Sequence, residues 1–394
     1  MNKSGTISGA GKGADKGMGT ESSAPRGGGQ RPLKIGTRGS SLAREQTESV
    51  VSALKAAYPE LAFELVTIRT EGDWSFGQAE RRLDPDRGGK GQFTGAIENE
   101  LLAGRIDLAV HSLKDVPSVL PAGAALGHFM AGEDPRDIFV SGSGRPISEL
   151  PQGAVIGTAS LRRKAIIKKH WPHLDVRVIR GNVPTRLEKL GAGQVDGLVL
   201  AAAGMKRIGF GGQIKQFLDP EEFVPCGGQG IIGIEIREGD TELAAILEEI
   251  CCPETTLRAL AERACLKALG GSCHSPLGVN LSFDKGSDFK PEEKEQSQTR
   301  QVQKEQAENE EAKNRQAGLR IFCGDPDGAY DHTSTYSATL RTPEEASDFG
   351  YASGRDFLSG LSEHHIQALG LGLEWVTDKT PPPSNGAPPE GAGE

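Results

Sequence analysis

From Leu33 to Met205 short runs of apolar and β-branched residues alternate with stretches whose apolar residues recur every three or four positions. That alternation predicts strands followed by helices in an α/β fold, with the strands running parallel. The strands read as Leu33 to Gly36, Ala62 to Ile68, Ile106 to Val110, Val155 to Gly157, Val176 to Ile179 and Gly197 to Leu200. The helices read as Ser41 to Ala57, Thr94 to Ala103, Leu161 to His170 and Pro184 to Leu190. The charged turn Glu133-Asp134-Pro135-Arg136-Asp137 lies midway and reads as a hinge between two similar lobes, with a cleft between them.

The pattern changes after Cys252-Pro253. Leu257, Leu260, Ala261, Ala264 and Ala268 make one apolar stripe along a helix from Glu254 to Leu269, which Gly270-Gly271 stops. A smaller third domain is expected beyond it, with strands at Leu277 to Ser282 and Leu319 to Cys323 and a hairpin turn at Asp325-Pro326-Asp327-Gly328. Between these strands Lys285 to Gln316 is loaded with Lys, Glu and Gln, so it reads as an insertion, either disordered or a solvated helix. Residues 1–30 and the tail from Thr380 to Glu394 are rich in small residues and proline and read as disordered.

Composition narrows the function. A chain of 394 residues is long enough for two or three domains. A net charge of −9 argues against a broad basic surface for nucleic acid, so any anionic ligand must be met by local arginines. The six cysteines show no CxxC pair, which gives no expectation of a metal and suits a reducing cytoplasm. The longest apolar run, Gly197 to Met205, is far short of the ~20 residues that cross a bilayer, and residues 1–30 lack the apolar core of a signal peptide.

Arginine-bearing turns follow the strands of both lobes: Thr37-Arg38-Gly39-Ser40, Ser160-Leu161-Arg162-Arg163, Arg180-Gly181-Asn182 with Arg186, and Lys206-Arg207. Ligands of open α/β sheets bind beyond the carboxyl ends of strands, where helix N-termini and bidentate guanidinium groups favour anions. Any one such turn reads equally as a surface ion pair or helix cap; four at equivalent positions favour a ligand. No GxxxxGK[ST] loop is present, so carboxylates are a better expectation than a nucleoside triphosphate. Asp115 follows the apolar run at 106–110 and is either a cleft carboxylate able to stabilise a developing cation or a turn residue before Val116-Pro117. His111 reads as a strand residue. Cys273, in the loop Gly271-Ser272-Cys273-His274-Ser275, is a core thiol, a metal ligand with His274, or a point of covalent attachment; Cys265 suits the core better.

The motifs TRGSSLA (37–43), GGKGQF (88–93), AVHSLKDVP (109–117), EDPRDIFV (133–140), GTASLRR (157–163), RGNVPTRL (180–187), AAAGMKRIG (201–209), GGQGIIGIE (227–235) and GSCHSPLG (271–278) together resemble the porphobilinogen deaminase family, in one order from Leu33 to Gly278. The resemblance implies an α/β protein with two lobes like those of type II periplasmic binding proteins and a smaller α/β C-terminal domain carrying the cofactor cysteine. It divides the chain into a disordered arm (1–31), domain 1 (32–131 and 228–250), domain 2 (132–227), domain 3 (251–375, with 285–316 as the charged insertion) and a disordered tail (376–394). It implies a cytoplasmic, monomeric hydroxymethylbilane synthase. Four porphobilinogen molecules would be condensed with loss of ammonia onto a dipyrromethane cofactor linked to Cys273, and hydrolysis would release the linear product. By the same resemblance Asp115 is catalytic, while Arg38, Ser40, Lys90, Ser112, Lys114, Thr158, Ser160, Arg162, Arg163, Arg180, Arg186, Arg207 and Gln229 bind the carboxylates of cofactor, substrate and growing polypyrrole. The chain departs from the family pattern at Ser272, at Gly95-Ala96, at Gly132 where an arginine is usual, and in a long stretch from Trp74 to Arg87. A solute receptor without catalysis and an ordinary cysteine-dependent transferase are the rival readings; the first leaves Cys273 and Asp115 without a purpose, the second the arginines.

Overall fold

The computed structural model describes residues 31–70, 94–271, 275–284 and 315–371. In chain order its first sheet and helices begin with β1 (Leu33–Thr37), α1 (Ser41–Ala57), β2 (Phe63–Thr67), α2 (Gly95–Leu102), β3 (Leu108–Ser112) and β4 (Ala124–Phe129). The chain then crosses to β5 (Asp137–Ser141), β6 (Val155–Gly157), α3 (Leu161–His170), β7 (Asp175–Arg177), α4 (Val183–Gly191), β8 (Gly197–Ala201), α5 (Ala202–Arg207) and β9 (Gln216–Phe217). It returns for β10 (Ile232–Arg237) and α6 (Thr241–Glu248), and continues through α7 (Pro253–Ala268), β11 (Leu277–Phe283), β12 (Arg315–Gly324), β13 (Asp331–Leu340), α8 (Pro343–Ser359) and α9 (Glu363–Ala368).

The first two sheets share one plan, β2-β1-β3-β10-β4 and β7-β6-β8-β5-β9. In each, three parallel strands are followed by one antiparallel strand, β10 or β5, inserted before the edge. The sheets are therefore mixed, which corrects the expectation of parallel strands. The inserted strands begin in motifs whose glycines and charges mask their period: Ile232–Arg237 starts within GGQGIIGIE and Asp137–Ser141 at the last residue of the supposed hinge. Their partners lie far away in sequence, and no local pattern shows a long-range pairing. The third sheet, β11-β12-β13, is antiparallel throughout.

Helix boundaries agree closely with the apolar stripes. Ser40, Ser160 and Asn182 each accept a hydrogen bond from a backbone N–H in the first turn of α1, α3 and α4, so the starts of three helices are set by local capping. The first sheet is covered on one face by Val50, Val51, Leu54, Leu243 and Leu247 of α1 and α6, and on the other by Ile97 and Leu101 of α2. Each such buried side chain stabilises the fold by roughly 1.5–3 kcal/mol. Strand β3 starts two residues later than expected because Asp107 accepts a hydrogen bond from Lys34 N (2.9 Å) and ends the preceding loop. Strand β12 begins at Arg315, so the last two residues of the supposed insertion pair with β13. The rest of that insertion, the N-terminal arm, the tail from residue 372 and the stretch Trp74 to Arg87 lie outside the described residues.

Candidate active site

The carboxyl ends of β1 and β3 lie side by side. From β1 the chain passes through Arg38 and Gly39 to Ser40, whose Oγ accepts from Ala43 N at 3.2 Å. From β3, Ser112 meets the side-chain amide of Gln46 on α1, receiving from Nε2 at 2.8 Å and facing Oε1 at 3.0 Å. Leu113 to Asp115 then make one turn of 3-10 helix, closed by Val116 N donating to Leu113 O, which brings Asp115 back over the strand end. Arg38, Ser40, Gln46, His111, Ser112 and Asp115 line one cleft. Gln46 was not legible as a site residue: on the amphipathic pattern it is one more polar position of α1, yet it is 3% exposed and orients Ser112.

The second sheet contributes differently from expectation. Asp137, the first residue of β5 and fully buried, lies 2.7 Å from Arg162 Nη1 and accepts from Arg163 Nε (3.2 Å) and Nη2 (2.7 Å). Arg162 also donates to Val224 O and Arg163 to Val199 O, so both guanidinium groups serve the frame of the site. Burial alone would raise the Asp137 carboxyl, but the two arginines outweigh it and hold it well below the usual carboxylate range. Gln229 Nε2 donates to Asp137 Oδ1 (3.0 Å) and Pro135 O (2.6 Å), while its Oε1 accepts from Lys114 Nζ at 3.3 Å. One chain of contacts thus joins the Asp137 pair to the turn bearing Asp115. Gly228 and Gly230 flank Gln229 with φ of 76° and 89°, and a side chain at Gly230 would run into the Glu133 carbonyl oxygen, so glycine is required on both sides.

Thr158 is buried and its Oγ1 accepts from Ser160 N (3.2 Å); Ser160 Oγ accepts from Arg163 N. Arg180 precedes the left-handed Gly181, and Arg186 Nε donates back to Gly181 O at 2.8 Å. Arg207 ends α5 rather than lying in a turn, and its Nη2 reaches Gly230 O at 2.6 Å. Lys90 and Cys273 lie outside the described residues.

These cations are poorly compensated. Burial and then the charge of Arg163 lower Lys114, against the opposing carboxylate of Asp115. Burial, Arg163 and Arg180 push Arg186 down to about 10, again against Asp115. Burial lowers Arg207, with Glu133 opposing. Arg162 Nε is buried with no hydrogen-bond partner among the described residues. Clustered, desolvated cations and an orphaned donor are what a ligand with several carboxylates relieves, so the residues present fit a dipyrromethane bearing carboxylates.

Sequence comparison identifies the family. The profile described as "Porphobilinogen deaminase, dipyromethane cofactor binding domain" matches residues 33–245. The porphobilinogen deaminase of Thiobacillus denitrificans is 46% identical over 254 residues, covering 64% of this chain and 82% of that protein. That of Chromobacterium violaceum is 46% identical over 255 residues, covering 65% of this chain and 81% of that protein. The chain belongs to the porphobilinogen deaminase family. As a porphobilinogen deaminase it is an enzyme of tetrapyrrole biosynthesis that forms hydroxymethylbilane and binds a dipyrromethane cofactor.

Two departures from the family pattern lie among the described residues. At Gly132 a Cβ would come into ordinary contact with Thr255 and Arg258; Thr255 Oγ1 accepts from Gly132 N (2.9 Å), and Arg258 donates to Glu262 (2.9 Å) and to Gln229 O (2.8 Å). At Gly95 a side chain would meet nothing within 4 Å, so a longer residue is not needed for packing there, and α2 forms regardless.

Behind the cleft His111 Nε2 lies 2.9 Å from Glu235 Oε2, both buried, with Glu98 close enough for their charges to act on it. His111 is thus a strand residue, as expected, tied by its side chain to β10. Burial raises the Glu98 carboxyl; the hydroxyl of Thr94 opposes, Glu235 adds and His111 opposes. A raised carboxyl binds more protons folded than unfolded, so its stabilising effect is lost as pH rises above the ordinary value of 4.5. Glu98→Gln is expected to melt higher than wild type at neutral pH, with the gap closing towards pH 4; thermal unfolding across pH measures it.

Proposed function

We propose that Asp115 is the catalytic carboxylate, that Cys273 carries the dipyrromethane through a thioether, and that the cationic cleft residues hold carboxylates of cofactor and substrate. The observation that carries this reading is the position of Asp115, in one cleft with Arg38, Ser40 and Ser112 and exerting its charge on Lys114 and Arg186. The lobes are read as periplasmic-binding-protein-like. The return of β10 into the first sheet supports joining residues 228–250 to domain 1. A monomer in the cytoplasm is the setting proposed; the described cysteines are free thiols, and no described helix is long and apolar enough to cross a membrane.

When bound, the dipyrromethane supplies a nucleophilic pyrrole α-carbon. Arg38, Lys114, Arg186 and Arg207 bind the carboxylates and set the incoming ring against that carbon. As the protonated amino group of porphobilinogen leaves its methylene carbon as ammonia, the positive charge spreads into the pyrrole N–H, and the Asp115 carboxylate, accepting from that N–H, stabilises it. Asp115 then receives the α-proton released as the new C–C bond forms, and passes it on before the next substrate binds. Asp137 holds Arg162 and Arg163 in place. The sequence of events repeats without the site being rebuilt, because the charges that bind each ring are carried by the short turns and helices that follow strand ends.

Intact mass of the purified full chain tests the tether. Wild type is expected to carry the extra mass of two linked pyrroles, and Cys273→Ser to lack it together with activity. An unmodified wild type with full activity would overturn the assignment.

A further inference from the structure

We propose that His128, Glu248 and Cys251 form a zinc site that takes no part in the cleft. His128 lies on β4, Glu248 ends α6, and Cys251 follows three residues later. One ligand atom from each lies within 4.8 Å of the other two. Cys251 Sγ is 3.7 Å from His128 Nδ1, and His128 Nδ1 is 3.9 Å from Glu248 Oε2. Ligand atoms about 2.0–2.3 Å from a tetrahedral zinc lie about 3.3–3.7 Å apart, so a small inward movement closes the set. Glu248 is the residue able to make it, since its side chain is 77% exposed whereas His128 is 12% exposed.

The donor chemistry selects the ion. One sulfur, one imidazole nitrogen and one carboxylate oxygen suit zinc and exclude calcium or magnesium, which take oxygen ligands. Binding replaces the Cys251 S–H proton, now directed to Leu247 O at 3.2 Å, and releases it to solvent. The thiolate and the carboxylate then neutralise the ion's two charges, and water fills the fourth position. The consequence is structural. Cys252 N already donates to Phe129 O at 2.9 Å, and zinc would add a second clasp between β4 and the turn that opens α7.

The test uses the full chain, with zinc alone competed against a chromophoric chelator. Wild type is expected to hold one equivalent of zinc more than Cys251→Ser or His128→Ala. The exposed Glu248→Gln variant, which does not disturb packing, is expected to bind more weakly. Cobalt in place of zinc is expected to give a thiolate charge-transfer band in wild type that is lost in Cys251→Ser. Zinc should raise the melting temperature of wild type, raise that of Glu248→Gln by less, and leave those of Cys251→Ser and His128→Ala unmoved, while all of them turn over porphobilinogen normally without added metal. Equal zinc stoichiometry in wild type and Cys251→Ser, or a cobalt band that survives the substitution, overturns the proposal.

Discussion

Asp115→Asn is expected to lower the rate of porphobilinogen consumption by about 10²–10⁴-fold while leaving the fold intact. Asparagine keeps the size of the side chain and one carbonyl oxygen, so a pyrrole N–H can still be met. What it lacks is the negative charge opposing the developing cation and the ability to take a proton. The side chain sits half-buried at a turn and lies outside the clusters of buried apolar side chains among the described residues, so the loss should fall on chemistry. Steady-state rates, with intact mass to verify cofactor loading and circular dichroism to verify the fold, measure the effect. A variant with cofactor bound and near-normal turnover would remove Asp115 from the role assigned to it.

The second large effect is expected at Asp137. Its carboxylate is 0% exposed and is held by Arg162 and Arg163, themselves 2% and 6% exposed. Asp137→Ala leaves two buried positive charges facing one another and is expected to cost about 3–5 kcal/mol, read as a fall in denaturant midpoint. Because Gln229 also bonds to Asp137, the loss should reach Lys114 and weaken substrate binding as well. The pH dependence has a definite sign. A carboxyl whose folded pKa is depressed contributes its stability above the unfolded value of about 3.9 and loses it as pH falls through the folded one. The gap between wild type and Asp137→Ala should therefore stay wide through neutral and mildly acid pH and narrow only in strong acid. Denaturant unfolding across pH decides; a gap of less than about 1 kcal/mol at neutral pH would show that the pair is not what holds the arginines.

The contrast between Arg162 and Asp137 explains how much of the site was legible. Arginines after strands give the expectation of an anion site through local chemistry alone, because a strand end, a capping serine and a guanidinium lie within a few residues. Asp137 looked like part of a charged turn, and nothing near it in sequence shows that β5 is swallowed by a sheet in which its neighbours are β8 and β9. Its partners lie 25 and 26 residues away and are brought to it by that pairing. Gln46 and Ser112 are separated by 66 residues, Lys114 and Gln229 by 115. Gln46 carried no signal of its own, since a buried glutamine and an exposed one look alike on a helix.

Sequence alone determined α1, α2, α3, α4 and α7 and most of the strands, and gave the expectation of a carboxylate ligand, because capping, apolar period and residue type act over a few positions; α5, α6, α8 and α9 were not legible in it. It also determined Cys273 and Asp115 as the residues to test, through a family resemblance that needs no coordinates. Only the tertiary structure decided that the first two sheets are mixed, that Arg162 and Arg163 are tied to Asp137, and that His128, Glu248 and Cys251 converge. The physical reason is the same in each case. Strand pairing and burial bring together groups that are distant in the chain, and the low polarity of the interior then makes their charges strong enough to set one another's state.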